Sequence, residues 1–254
     1  MPDGPVLGVN FGTHDAAAAL AIDGKVVAAA EEERFVRVKH TKQLPSSAAY
    51  WCLEQAGLTS ADLSAVALFV SPWRHLMLPL CNTRHAFPTS LGSLASDIDK
   101  FRKRQRLPGM LRAAGLIPSR VPVRPVAHHL AHAASSYLTS PFDDATVVTL
   151  DGRGEYETAC VFEGHGGQLR RRHAITYPHS IGYLYSMITR FLGFRPQRDE
   201  YKVMGLAAYG DTTLVPAISQ PQPALLGGPA DHHSPTPRII RQPRPVALRT
   251  LTPP

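Results

Sequence analysis

The stretch VLGVNFGTHDAAAALAIDGKVVAAA, residues 6–30, decides the fold. VLGVNF is short, apolar and β-rich, and GTHD stops it, which predicts a buried strand ending in a turn. A small apolar run follows over residues 16–22. Asp23-Gly24-Lys25 reads as a hairpin turn and residues 26–30 as the returning strand. A burst of charge, EEERFVRVKH, covers residues 31–40. Pro45-Ser46-Ser47 then opens an amphipathic helix through Ala56, closed by Gly57, and AVALFV at residues 65–70 reads as another buried strand.

The same order returns later in ATVVTLDGRGEYETACVFEGHGGQLRRRHAITY, residues 145–177. Residues 145–150 predict a strand, stopped by Asp151-Gly152-Arg153-Gly154-Glu155. Residues 157–163 and 169–177 predict two more strands, and a helix is expected from about Ser180 to Leu192. Each unit begins with a strand whose end carries glycine and aspartate. The expectation is an α/β protein of two similar lobes, the first over about 1–71 and the second begun over about 145–211. A basic helical insertion is expected between them, over about 72–124. Its FRKRQR run, residues 101–106, lacks interleaved aromatics, so a solvated face is expected rather than nucleic-acid binding. From about residue 212 to 254 proline dominates. Proline removes backbone donors, so this tail is expected to stay outside any packed core.

Between the units lies VAHHLAHAASSYL, residues 126–138. Helical residues advance about 100° each, so His128 and His132 share a face. Ser135 and Ser136 extend that stripe with His129 at its edge, and Leu130, Ala134, Tyr137 and Leu138 are expected on the buried side. Two imidazoles at this spacing, followed by Asp151 at a strand end, predict a three-ligand site for iron or zinc with positions left open. A helical zinc protease is disfavoured, because His129 stands where that motif has glutamate. Gly152 and Gly154 are expected to let a phosphate approach the backbone.

The wider composition bounds the rest. The net charge of +7, from 27 basic and 20 acidic residues, suits phosphate-bearing ligands. Cys52, Cys81 and Cys160 show no paired spacing, so no disulfide framework is expected. No leader and no membrane-length apolar run is visible in the sequence, so a cytoplasmic protein is expected.

Four pieces in order resemble one family: NFGTHDAAAALAIDGKVVAAAEEERFVRVKH, VAHHLAHAASSY, TLDGRGE and DEYKVMGLAAYGD. They are similar to the O-carbamoyltransferases of nodulation-factor and antibiotic pathways, whose N-terminal domain is similar to tRNA threonylcarbamoyl transferases. The resemblance implies a duplicated actin-like ATPase (ribonuclease-H-like) fold. It implies formation of carbamoyl-adenylate from carbamoyl phosphate and ATP, then transfer to a hydroxyl of a sugar or antibiotic-type acceptor. It puts His128, His132 and Asp151 on the iron-binding positions, with Fe2+ or Zn2+ as the metal. His14 and Lys39 fall on catalytic positions, Asp15 and His40 on substrate- or nucleotide-binding positions beside them, and Lys202 and Gly205 near the nucleotide. The family's C-terminal synthase-like domain and a further aspartate ligand have no counterpart after about residue 211. The second lobe is therefore expected to be incomplete, and a complementing C-terminal chain or a homodimer is the expected partner. A non-catalytic metal- and nucleotide-binding fragment, or a tRNA threonylcarbamoyl transferase-like protein, are the competing readings.

Overall fold

The computed structural model describes residues 4–12, 15–75, 77–78 and 91–213, the side chains at 75 and 91–95 excepted. His14 and nearly all of the proline-rich tail lie outside the described residues.

Strand β1 (Val6–Asn10) sits in the middle of a five-stranded sheet ordered β3-β2-β1-β4-β5. Its partners are β2 (Ala17–Ile22), antiparallel, and β4 (Ala65–Leu68), parallel. β3 (Lys25–Glu31) closes the hairpin with β2, and β5 (Val123–Pro125) lies parallel to β4. An order of 3-2-1-4-5 with the second strand reversed is the ribonuclease-H-like arrangement, so the fold expectation holds for this lobe.

Alternation along β1 explains how the sheet is covered. Leu7 and Val9 are buried, while Gly8 and Asn10 face the other way and are only half-buried. The buried face packs on helix α2 (Ser46–Gln55), which brings Ala48, Ala49, Cys52 and Leu53 into the core. A single helical turn, α1 (Glu33–Val36), joins β3 to α2. Another turn, α3 (Pro72–His75), leads to the long helix α4 (Leu91–Ala113). The end of α4 is not merely a solvated insertion, because Leu107 and Leu111 enter the first core with Leu116, Ile117 and Val121.

Two corrections to the sequence reading concern this region. Helix was expected as far as Arg124, yet residues 123–125 form β5. Pro122 and Pro125 block helix there and are tolerated at a sheet edge. The second correction concerns helix α5 (His128–Tyr137). Its buried stripe is His129, Ala133 and Tyr137, while Leu130 and Leu138 are exposed. The helix is rotated toward partners that the histidine and tyrosine can bond. Tyr137 donates its hydroxyl to Asp143 O at 2.5 Å and closes over Gly164.

The second sheet is an antiparallel meander of β6 (Asp144–Gly154), β7 (Glu157–His165) and β8 (Gln168–Thr176). It repeats β1-β2-β3. Its small core joins Val147, Cys160 and Phe162 to Ala133 and Tyr137 of α5. Helix α6 (Ile181–Phe191) follows β8 and packs on β6, and the short α7 (Glu200–Leu206) packs on α6. Among the described residues β6 has one neighbour, whereas β1 has two. No helix among the described residues is long and apolar enough to cross a membrane.

Candidate metal centre

The β6–β7 ladder is regular to Leu150 and resumes at Gly154 opposite Glu157. Residues 151–153 bulge out of the pairing between those points, which is how a strand re-aims a side chain. Asp151 is re-aimed at the first turn of α5. Its Oδ2 stands 2.5 Å from His128 Nε2 and 3.6 Å from His132 Nε2, and the two ring nitrogens are 3.0 Å apart. The three residues thus offer ligand atoms that all lie within 4.8 Å of one another.

This geometry bears on whether a metal fits. A ring nitrogen holds either a proton or a lone pair, so His128 Nε2 cannot donate to Asp151 and accept from His132 at once. A cation shared by the three atoms removes that conflict, since each would turn a lone pair toward it. Two imidazoles and one carboxylate are also a donor set suited to iron or zinc. Burial works against the charged Asp151 carboxyl. Hydrogen bonds from His128 and His132, with the Gly152 N–H at 2.6 Å, outweigh it and hold the group well below the usual carboxylate range. A carboxylate that stays ionised is what metal ligation requires.

The surroundings fix these three side chains in place. His129, buried and one residue along, puts Nδ1 2.8 Å from Thr149 Oγ1, and the Thr149 hydroxyl can donate onward to Cys160 O at 3.4 Å. Burial pushes the His129 imidazole below its ordinary pKa, and its contact with Thr149 anchors α5 to β6. On the far side Ser180 Oγ donates to the carbonyls of Asp151 and Gly152, at 3.1 and 2.7 Å. Gly182 lies against the Asp151–Gly152 backbone, where a Cβ would stand 2.5 Å from Gly152 N.

The two glycines expected to cradle a phosphate have other tasks here. The Gly152 N–H is turned to Asp151, and Gly154 makes room for the His128 ring.

A second corner gathers Asp15 and His40. Gly12 N–H and Ala16 N–H donate to Lys42 O and Thr41 O, each at 2.9 Å, which ties residues 41–42 to Gly12 and Ala16. His40 Nδ1 then meets Asp15 Oδ1 at 2.8 Å, and its backbone N–H donates to Glu33 at 3.0 Å. Asp15 and His40 both hold positive φ, 49° and 54°, a strained setting for non-glycine residues. Lys39 is exposed in the turn before His40. Lys202 pairs with Asp199 at 2.9 Å on α7, and Gly205 has open space beside it.

Sequence reasoning passed over Arg74, Glu155 and Glu157. The two glutamates are buried, and Arg74 reaches both from α3. It also passed over Glu32, a buried acid in the charged burst. The only sequence signal for Glu155 is its place at the end of the LDGRGE piece.

The carbamoyltransferase N-terminus family matches residues 5–72 and 112–220. The unmatched interval, residues 73–111, includes most of α3 and α4. An uncharacterized Synechocystis protein, sll1178, is 37% identical over 221 residues, covering 84% of this chain and 36% of that protein. Nodulation protein NolNO of Sinorhizobium fredii is 34% identical over 203 residues, covering 80% and 28%. The chain thus spans about a third of the length of these curated relatives. Among solved structures, YeaZ from Pseudomonas aeruginosa aligns with a TM-score of 0.37 at 14% identity, covering 82% of this chain and 93% of that one. That likeness is too low to bear on function.

Proposed function

Because the chain belongs to the family of carbamoyltransferase N-termini, we propose that it carries the acceptor-side half of a carbamoyl transfer reaction. The observation that carries this reading is the convergence of His128, His132 and Asp151. These residues would hold Fe2+ or Zn2+. When bound, such a metal polarises the carbamoyl carbonyl and stabilises the negative charge that develops on its oxygen.

The donor is carbamoyl-adenylate, made from carbamoyl phosphate and ATP, and the acceptor is a hydroxyl of a sugar or antibiotic-type molecule. The acceptor oxygen forms a bond to the carbamoyl carbon, and the bond from that carbon to the phosphate oxygen of AMP breaks. The acceptor hydroxyl must give up its proton. His14, in the GTHD turn, is the base in this reading, since an imidazole titrates near neutral pH. Asp15, the next residue in the chain, is bonded to His40. Lys39 offers a positive charge there. Lys202 and Gly205 would meet the nucleotide.

The test supplies carbamoyl-adenylate to the purified chain, with a sugar or aminoglycoside acceptor, and follows AMP release and the carbamoylated product. The expected result is acceptor-dependent transfer that falls at least tenfold in His132→Ala. Transfer equal in the two proteins would refute a role for the three-ligand site.

A further inference from the structure

The residues that hold the Asp151 bulge do not all belong to the second lobe. Glu155 stands at its end, with φ +60° and a side chain 1% exposed. Its Oε1 accepts the Ser71 N–H at 2.6 Å, and its Oε2 accepts the Arg74 Nε at 2.9 Å. Arg74 extends past it to Glu157 Oε2 at 2.6 Å and lies over the Tyr156 ring, 5.2 Å from its centre. Arg171 of β8 closes the other oxygen of Glu157. Ser71 ends the first lobe after β4, and Arg74 follows it on α3, at the junction with the segment that leads to α4.

The loop is thus gripped on three sides. Helix α6 holds its start through Ser180, α5 lies over Gly154, and the first lobe holds Glu155. The left-handed backbone at Glu155 is unfavourable for a residue with a Cβ, so the grip of Ser71 and Arg74 keeps it there. An arginine suits this task because its planar fork serves two carboxylates at once.

We propose that Arg74 is a positioning residue for the metal centre, acting through Glu155 to set the bulge that presents Asp151, so that the placement of the first lobe tunes metal affinity. This rests on the three-ligand reading above. It goes beyond that reading by assigning a role to a side chain that touches none of the ligands in the hydrogen bonds and ion pairs described here.

The test titrates the full chain with Co2+ alone, read by visible absorption, for wild type, His132→Ala, Arg74→Lys and Arg74→Met. Loss of an outer partner of a metal ligand typically weakens metal binding about 10- to 100-fold. Arg74→Met should fall in that range with an altered absorption band, and Arg74→Lys should recover part of the loss, since one ammonium can serve one carboxylate. A purely structural role would lower the melting temperature and leave Co2+ affinity and band shape alone, which would overturn the proposal. Should Arg74→Met not fold, Glu155→Gln keeps an acceptor for Ser71 while removing the charge that faces Arg74, and the same loss is expected. Co2+ bound by wild type and lost in His132→Ala, but unchanged in the Arg74 and Glu155 variants, overturns this inference and leaves the metal centre standing. Failure of wild type to bind Co2+ overturns both.

Discussion

Gly154 and His128 are packed so closely that a Cβ added to the glycine would stand 2.2 Å from Cδ2 of the ring and 2.8 Å from the histidine Cβ. Real Cβ atoms do not approach so near, so one of the two must move. The contact reaches the root of the side chain, and rotating the ring alone cannot relieve it. Gly154→Ala should therefore displace His128 from Asp151 and weaken Co2+ binding about tenfold or more. Gly152→Ala is the internal control. The nearest atoms to its Cβ, in the Tyr183 ring, lie at 3.7 Å, an ordinary contact. Equal Co2+ affinity in the two variants would remove the steric role of Gly154.

Thr149 is the second support. Its hydroxyl is the partner of the buried His129 Nδ1 and can donate to Cys160 O. Thr149→Val keeps the volume and leaves a buried imidazole nitrogen without its acceptor. That should cost about 1–3 kcal/mol. Urea unfolding would measure it, and a loss below about 0.5 kcal/mol, within the scatter of neutral surface changes, would show that α5 is anchored otherwise.

His165 supplies a pH dependence at the opposite end of β6 from Asp151. Its hydrogen bond to Asp144 is the main cause that raises its pKa above the ordinary 6.5, and the charges of Asp144, Asp143 and Glu163 add to this. A raised folded-state pKa means that the folded chain binds the proton more tightly than the unfolded chain. The contribution is therefore fully present below pH 6.5 and is lost as pH rises through the folded value. An NMR titration of the His165 ring should show a midpoint above 6.5 that drops back toward it in Asp144→Asn. An unchanged midpoint would dismiss the pairing.

What the sequence made legible, and what it hid, follows from range. The strands of both sheets announce themselves by runs such as VLGVNF and ATVVTL, because a strand covered on one or both faces must be apolar. His128, His132 and Asp151 were legible because helical spacing is local and a strand end is easy to see. The burial of His129 was not, because its reason is Thr149 on another element. The grip of Arg74 on Glu155 and Glu157 was hidden for the same cause: nothing near Arg74 in the chain indicates that β4 ends beside the tip of the β6–β7 hairpin. β5 was hidden by its length of three residues and by Pro122 before it and Pro125 at its end. In EEERF, nothing local sets Glu32 apart from the two acids beside it.

Glu32 is instead the cap of α2. Its side chain is buried, and its two oxygens accept the N–H groups of Ser47 at 3.2 Å and Ala48 at 2.8 Å. The residue at the N-cap position is Pro45, which has no side-chain oxygen to do this. Two first-turn donors of α2 are thus satisfied from β3's exit, and a carboxylate sits at the positive end of the helix. Hydrogen bonds to a charged group contribute about 1.5–3 kcal/mol each, and donors left buried and unpaired cost about as much. Glu32→Ala should therefore lose roughly 3 kcal/mol in urea unfolding, by that scale of two charged bonds. Glu32→Gln keeps one carbonyl acceptor but turns an amide N–H₂ toward a donor, so about half that loss is expected. The neighbouring Glu33 holds the His40 backbone, so loosening this segment should also broaden the His40 ring signal in NMR spectra. A Glu32→Ala protein as stable as wild type would mean that α2 is held by its apolar face alone.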